Sequence, residues 1–112
     1  MADASDQLAR GIAHSLVTLV PLQGHGIASR VIGRGGGGNV TLFAFDAGTG
    51  LSEHQAPFEA LAVVLSGRLN IVVGEETIDA NEGHVARLPA DVPHALTALS
   101  PSRLLLIMLK NT

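Results

Sequence analysis

The chain has 112 residues, of which 46% are hydrophobic and 15% are charged, and its formal net charge is -3. This length fits one domain, and so apolar a composition excludes a disordered chain. The negative net charge and the scattered Lys and Arg residues argue against a nucleic-acid surface. Because the chain contains no cysteine, disulfides, thiolate metal sites and a cysteine nucleophile are all excluded.

The sequence has the features of neither a secretion signal nor a membrane span. The first ten residues, MADASDQLAR, include acidic residues and no long apolar core, unlike a signal peptide. The longest apolar run, LLLIML, is far shorter than the roughly 20 residues of a membrane-spanning helix. We therefore expect a cytoplasmic protein that binds neither membranes nor nucleic acid.

The first dozen residues have a helical pattern. Leu8, Ile12 and Leu16 recur near helical spacing, and Ser5 or Asp6 is a suitable N-cap. We expect a short helix in this N-terminal part of the chain.

From about residue 27 onward, short apolar segments alternate with turns, which is typical of an all-β domain. Ile27–Gly33 reads as a strand, and the glycine run Arg34–Gly38 reads as a flexible turn. The run lacks the lysine and the strand-to-helix setting of a phosphate loop. Asn39–Gly48 is a strand that is apolar on both faces, with Phe43 and Phe45 on the same side, as in the middle of a packed sandwich.

The second half of the chain predicts further strands in ALAVVLSG, in the hairpin RLNIVVGEETIDA, and in HVARLPA, HALTAL and SRLLLIMLK. Eight to ten short strands with no long helix predict a sandwich or a closed barrel, and a jelly roll is the natural member at this length. The last strand has no polar face, so we expect another layer or a second copy of the chain to cover it. The expected organisation is one domain, with an N-terminal segment over residues 1–25 and a barrel over residues 26–110.

The stretch GHVARLPADVPHAL resembles the second of two motifs that mark the cupin family. Gly83 is followed by five residues and then by Pro89, and His94 falls at the histidine of the motif. Asp91 stands where the family has its second glycine, and Ala98 stands at the final asparagine position.

The stretch LSEHQAPFEALAVVLSG resembles the first motif in a reduced form. Counting back from Gly67 places Ala60 at the glutamate position, Ala56 at the second histidine position and His54 at the first. Two of the four usual metal ligands are therefore histidines here, and two are alanines. Small single-domain bacterial cupins of the RmlC-like superfamily, mostly without an assigned function, share this EHxAP variant.

The resemblance covers most of the chain and implies a cupin barrel, that is, a double-stranded β-helix or jelly roll, which forms a homodimer. It also implies a divalent metal ion, such as Zn, Fe, Ni or Mn, with His54 and His94 as ligands. Two histidines alone bind a metal weakly, since metal sites normally use about three protein ligands. Glu59 is the candidate third ligand if a bulge turns it inward, whereas regular pleating directs it away. The alternative is a barrel pocket without a metal.

The same alanines leave room inside the barrel, and an apolar cavity with a few polar groups is the usual form of a binding site. The residues expected to line the pocket are Phe43, Phe45, His54, Ala56, Ala60, Ala62 and His94. The first hypothesis is a protein that binds a small molecule in this pocket. The alternatives are a metal-dependent enzyme, such as a dioxygenase, isomerase or decarboxylase acting on a small organic substrate, and an inert barrel with a structural or interaction role. No catalytic residue follows from the pattern.

Overall fold

The described part of the chain folds into nine strands and one short helix. A computed structural model describes residues 7–22, 24 and 26–110. The elements in chain order are α1 (Leu16–Leu19), β1 (Ile27–Gly35), β2 (Gly38–Phe45), β3 (Gly50–His54), β4 (Glu59–Ser66), β5 (Arg68–Val73), β6 (Glu76–Asn81), β7 (Val85–Leu88), β8 (His94–Ala98) and β9 (Ser102–Leu109). The prediction of an all-β jelly roll with a short N-terminal helix is confirmed.

The strands form two antiparallel sheets that pack face to face. The five-stranded sheet has the order β1-β2-β9-β4-β7, and the four-stranded sheet has the order β3-β8-β5-β6. The last strand, β9, therefore lies in the middle of the larger sheet, paired with β2 on one side and β4 on the other. The wrapping of sequence-distant strands around each other is what closes a jelly roll.

The core lies between the sheets and is built by strict alternation along the strands. In β5, Leu69, Ile71 and Val73 are buried while their neighbours are more exposed, as the two-residue period of a strand requires. The rings of Phe43 and Phe45 stack at a centroid distance of 5.5 Å, and both side chains contact this core. Their predicted position on one side of β2 is confirmed.

The outer faces of the two sheets differ in polarity. On the smaller sheet the outward positions of β5 and its partners include Asn70, Asp79 and Thr97, which face one another across the strands. On the larger sheet most outward positions of β2, β9 and β4 are apolar, as Leu42, Leu105 and Val63 show, with Arg103 and Glu59 as charged exceptions.

The N-terminal segment covers part of this apolar outer face. Val20 is buried with Leu42 and Ala44 in a second apolar cluster, against which Leu16 and Leu105 pack. The cover explains in part how a last strand without a polar face is tolerated. It does not extend to Val85, which is 60% exposed.

Gly67 makes the corner at which the chain passes from the larger sheet to the smaller one. Its φ of +84° lies in the left-handed region, and a Cβ there would overlap the side chain of Ser102 and the carbonyl of Pro101. Ser102 is fully buried, and its hydroxyl bonds the backbone of both Arg68 and Ser100. Only glycine fits this corner, which is why the motif count from Gly67 is reliable.

Two elements differ from their expected limits. The run Arg34–Gly38 was expected to be a flexible turn, but β1 and β2 extend into it and pair as far as Gly35 and Gly38. Strand pairing therefore overrides the low strand propensity of glycine. The helix occurs at Leu16–Leu19, later than its pattern indicated, and the predicted caps lie outside the described residues. None of the helices in the described part of the chain is long and apolar enough to cross a membrane.

Candidate functional site

His54 and His94 meet at one end of the barrel. They are direct cross-strand partners, His54 at the end of β3 and His94 at the start of β8. Their Nε2 atoms lie 3.0 Å apart, and the rings meet edge to face with centroids 4.3 Å apart. The fold thus brings together the two histidines that the sequence singled out.

Each histidine also bonds the carbonyl two residues before it. His54 Nδ1 lies 2.8 Å from the carbonyl oxygen of Ser52, and His94 Nδ1 lies 3.3 Å from that of Val92. A carbonyl oxygen only accepts hydrogen bonds, so each Nδ1 must carry a proton and donate it. The neutral form of each ring then has its lone pair on Nε2.

Two lone pairs therefore face each other across 3.0 Å. Such a contact is repulsive unless a proton is shared along the line between the nitrogens, or a metal ion that lies to one side of this line binds both. Two imidazole nitrogens that each lie about 2.1 Å from one metal ion, at a right angle, are separated by about 3.0 Å. The observed separation of the two Nε2 atoms therefore fits a pair of metal ligands.

Burial works against the shared proton. His94 is only 8% exposed, whereas His54 is exposed. Desolvation, followed by repulsion from a charged His54, lowers the pKa of His94 below its ordinary value, although the bond to the Val92 carbonyl acts in the opposite direction. The neutral, metal-binding form of His94 is therefore favoured near neutral pH.

Glu59, the candidate third ligand, points to a different set of partners. Its Oε1 accepts a hydrogen bond from Arg87 Nε at 2.6 Å, and its Oε2 accepts the backbone N–H of Ala90 at 2.7 Å. These bonds, first that from Ala90 and then that from Arg87, lower the pKa of Glu59. The carboxylate thus joins β4 to the end of β7 and to the turn that leads to His94.

The turn between β7 and β8 is held by its backbone. The N–H of Asp91 donates to the carbonyl of Ala56 at 2.8 Å, and the N–H of Gly74 donates to the carbonyl of Pro93 at 2.8 Å. Asp91 has a φ of +63°, the only positive φ of a non-glycine residue in the described ranges. The family has a glycine at this position, and Asp is one of the few other residues that tolerate this conformation.

The residues predicted to line the pocket divide into two groups. Phe45 and Ala62 have no exposed surface, and Ala60 is 7% exposed; all three belong to the closed apolar core. Ala56 is half-buried and lies in the connection between β3 and β4, next to the histidines. The part of the predicted pocket that reaches solvent is therefore its mouth, around His54.

The other histidines are engaged elsewhere or lie outside the described residues. His14 Nε2 lies 3.0 Å from the carbonyl of Ala9, and His84 Nδ1 accepts the N–H of Asn81 at 2.9 Å. His25 is not among the described residues. Within residues 7–22, 24 and 26–110, no group of three or more His, Asp or Glu side chains is arranged to hold a metal.

The carbonyls of Ser52 and Val92 are the site components that sequence reasoning missed. They fix the tautomers of both histidines, as partners of metal-binding histidines commonly do. A backbone carbonyl leaves no mark in the residue pattern, so no sequence signal could have identified them.

Comparison with known proteins settles the family. The model of the cupin domain matches residues 41–109. The chain belongs to the cupin family. This cupin is 36% identical over 70 residues to an uncharacterized protein of Streptomyces coelicolor, an alignment that covers 62% of this chain and 67% of that protein.

Solved structures agree with this cupin over almost its whole length. A conserved protein of unknown function from Streptococcus pyogenes superposes with a TM-score of 0.88 at 28% identity, covering 94% of this chain and 92% of the other. A cupin superfamily protein from Desulfitobacterium hafniense superposes with a TM-score of 0.86 at 23% identity, covering 93% and 95%. The second likeness supports the fold alone.

Proposed function

We propose that this cupin binds a small molecule at the mouth of its barrel through a divalent metal ion held by His54 and His94. The observation that carries the proposal is the pair of facing Nε2 atoms, 3.0 Å apart, with both Nδ1 atoms engaged by carbonyls. The two Nε2 atoms are left as neighbouring donors, and imidazole nitrogens are ligands that divalent transition metals bind.

Two imidazoles fill only part of a coordination shell. Metal sites with open positions leave them to water or to an oxygen of the ligand. The exposed side of His54 faces solvent, so a ligand can approach from the mouth without entering the closed core. A bound divalent ion would supply Lewis acidity toward such an oxygen. The metal ion would then be held by ligands from both the protein and the small molecule, which suits a site with few protein ligands.

A metal titration of protein prepared without a histidine tag tests the first half of the proposal. The test variant carries both His54→Ala and His94→Ala. The control variant carries both His14→Ala and His84→Ala, and so loses the same number of imidazoles away from the site. We expect one metal ion per chain in the parent and in the control variant, and none in the first variant. Equal metal binding by both double variants would contradict the proposal.

Thermal unfolding with a ligand panel tests the second half. Small acids, sugars and phenols are added with and without the metal ion that binds best. Because a ligand that binds only the native state raises its apparent stability, we expect a shift that requires the metal and is lost in the His54→Ala, His94→Ala variant. Turnover of a panel compound would favour the enzyme, and the absence of any shift would favour the inert barrel.

We also propose that the cupin forms a homodimer through the outer face of its larger sheet. The support is the contrast between the two outer faces, polar on the smaller sheet and apolar on the larger. Val63, Ile107 and Leu61 lie outward on adjacent strands next to the exposed Val85. A contiguous apolar face of this kind is typical of an interaction surface.

Sedimentation velocity tests the dimer. Val63→Asp places a charge in the middle of the apolar face, and Thr97→Asp places the same charge on the polar outer face of the other sheet. We expect the first variant to be monomeric at micromolar concentration and the second to remain a dimer. A parent that is monomeric at this concentration would overturn the proposal.

A further inference from the structure

A second feature at the same end of the barrel is an open cleft on the β1–β2 hairpin. The cleft has a volume of about 400 Å³. The residues that line it are Val31, Arg34, Gly35, Gly38, Asn39 and Lys110.

The lining carries two positive charges and no acidic residue. Neither Arg34 nor Lys110 takes part in an ion pair with any described residue, whereas Arg68 and Arg87 are each paired with a carboxylate. The Thr41 hydroxyl donates a hydrogen bond to Asn39 Oδ1 at 3.4 Å. The amide N–H groups of Asn39 are left as donors. The net charge of the chain is -3, so the local excess of positive charge at the cleft is opposite in sign to the charge of the whole protein.

Gly35 lines the cleft with backbone alone. A Cβ built at Gly35 meets no atom within 4 Å, and its φ lies outside the left-handed region. Neither backbone conformation nor packing therefore requires a glycine at this position.

A row of paired residues across the larger sheet shows which end of the barrel the cleft occupies. In order across β1, β2, β9, β4 and β7, the row is Arg34, Asn39, Met108, Ala60 and Leu88. Leu88 ends β7, and the turn after it leads directly to His94. The positive groups and the histidine pair therefore lie at the same end of the barrel.

We propose that this cleft binds the anionic group, a carboxylate or a phosphate, of a small acid, with Arg34 and Lys110 as charge partners and Asn39 as a neutral donor. Arg and Lys are the usual partners of such groups, and charge-assisted hydrogen bonds are the stronger kind. The inference rests on the proposed function in that it names the class of the ligand as an organic anion. The cleft itself binds anions without the metal.

Titration with inorganic phosphate and, separately, with succinate tests the cleft, each at constant ionic strength in metal-free protein. The first variant is Arg34→Gln with Lys110→Gln. Its matched control is Arg10→Gln with Arg30→Gln, which makes the same charge change away from the cleft.

We expect the Arg34, Lys110 variant to bind at least one of the two anions roughly tenfold more weakly or worse, because the charged hydrogen bonds are lost. The control variant should bind like the parent. A stronger response to one anion identifies the group as carboxylate or phosphate. No binding of either anion by the parent, or equal weakening in the control variant, would overturn the inference.

A cross-test separates this inference from the proposed function. The His54→Ala, His94→Ala variant should still bind the anion, and the Arg34→Gln, Lys110→Gln variant should still bind the metal. If the parent binds the anion but no metal, only the metal proposal is contradicted. If the parent binds the metal but neither anion, only the proposal of an anion site in the cleft is contradicted.

Discussion

The carboxylate of Glu59 accepts the backbone N–H of Ala90 at 2.7 Å, four residues before His94. The same carboxylate bonds Arg87 on the adjacent strand. Together with the bond from the Asp91 N–H to the Ala56 carbonyl, this contact joins the two connections that carry the histidines. Glu59 therefore positions the site without pointing into it.

The first prediction concerns Glu59. We expect Glu59→Ala to lower the thermal midpoint and to weaken metal binding roughly 10- to 100-fold, as losses of groups that support metal ligands commonly do. Glu59→Gln should retain most of the affinity, because its amide oxygen still accepts the Ala90 N–H. Isothermal titration with the metal measures both variants.

Asp79→Ala is the matched control for this change. It breaks the exposed ion pair between Arg68 and Asp79, which holds no turn, so stability should change little and metal binding not at all. If Glu59→Gln loses as much metal affinity as Glu59→Ala, then Glu59 acts as a metal ligand, as the sequence first suggested.

The second prediction concerns pH. The pKa of His94 is lowered by burial, so the unfolded chain takes up a proton at higher pH than the folded one. The neutral ring therefore contributes stability above the unfolded pKa of about 6.5, and this contribution is lost as the pH falls toward the lower, folded pKa.

Urea unfolding of metal-free protein between about pH 7.5 and about pH 5 measures this effect. Stability should fall over this range in the parent, and the fall should be smaller in His94→Gln, which has no proton to bind there. A profile of the same slope in both proteins would show that His94 is not responsible.

The third prediction restores a carboxylate at the family's glutamate position. Ala60 lies inward on β4 and is nearly buried. Ala60→Glu should strengthen metal binding by adding a third donor. In the absence of metal it should cost roughly 1–3 kcal/mol of stability, because a polar group is buried without a partner.

Ala62→Glu is the control for a carboxylate buried away from the mouth. Ala62 faces the same side of β4, two residues farther from the turn that leads to His94, and is fully buried. This variant should lose stability without gaining metal affinity. Titration and urea unfolding of the two variants, with and without metal, separate the effects. Weaker or unchanged metal binding by Ala60→Glu would mean that this position does not reach the histidines.

The fourth prediction concerns the corner glycine. Gly67→Ala should cost about 2–5 kcal/mol, because it combines the penalty for a left-handed residue with overlap against Ser102 and Pro101. Gly83 also has a left-handed φ, +86° compared with +84° at Gly67, but a Cβ at Gly83 meets nothing within 4 Å. The cost of Gly83→Ala should be about 1–2 kcal/mol, the conformational penalty alone. Denaturant unfolding gives both values, and equal costs would refute the packing argument.

The sequence predicted the strands and the meeting of the two histidines because both depend on spacing. Apolar runs bounded by turns locate β4 and β9, alternation locates β5, and the count from Gly67 succeeds because that corner admits no other residue. Asp91 could be aligned with a glycine because it adopts the same left-handed conformation. These features are local or are fixed by the register of the strands.

The orientation of Glu59 and the protonation of the histidines could not be predicted. Whether Glu59 faces the metal site or Arg87 depends on a partner 28 residues away on another strand, and the histidine tautomers depend on backbone carbonyls. The cover of β9 by Val20 was equally hidden, because it joins residues more than 80 positions apart. Long-range contacts of this kind leave no periodic signal in one sequence.

The central position of β9 in the larger sheet has a consequence for how the protein is made. Strands β2 and β4 have no contact in this sheet until β9 inserts between them. During synthesis on the ribosome, the larger sheet therefore stays incomplete, with one edge each of β2 and β4 unpaired, until residues 102–109 have emerged. Folding dominated by such distant pairings is slow and passes through states prone to aggregation. A chain interrupted before β9 should be recovered as an insoluble fragment rather than as a smaller folded domain.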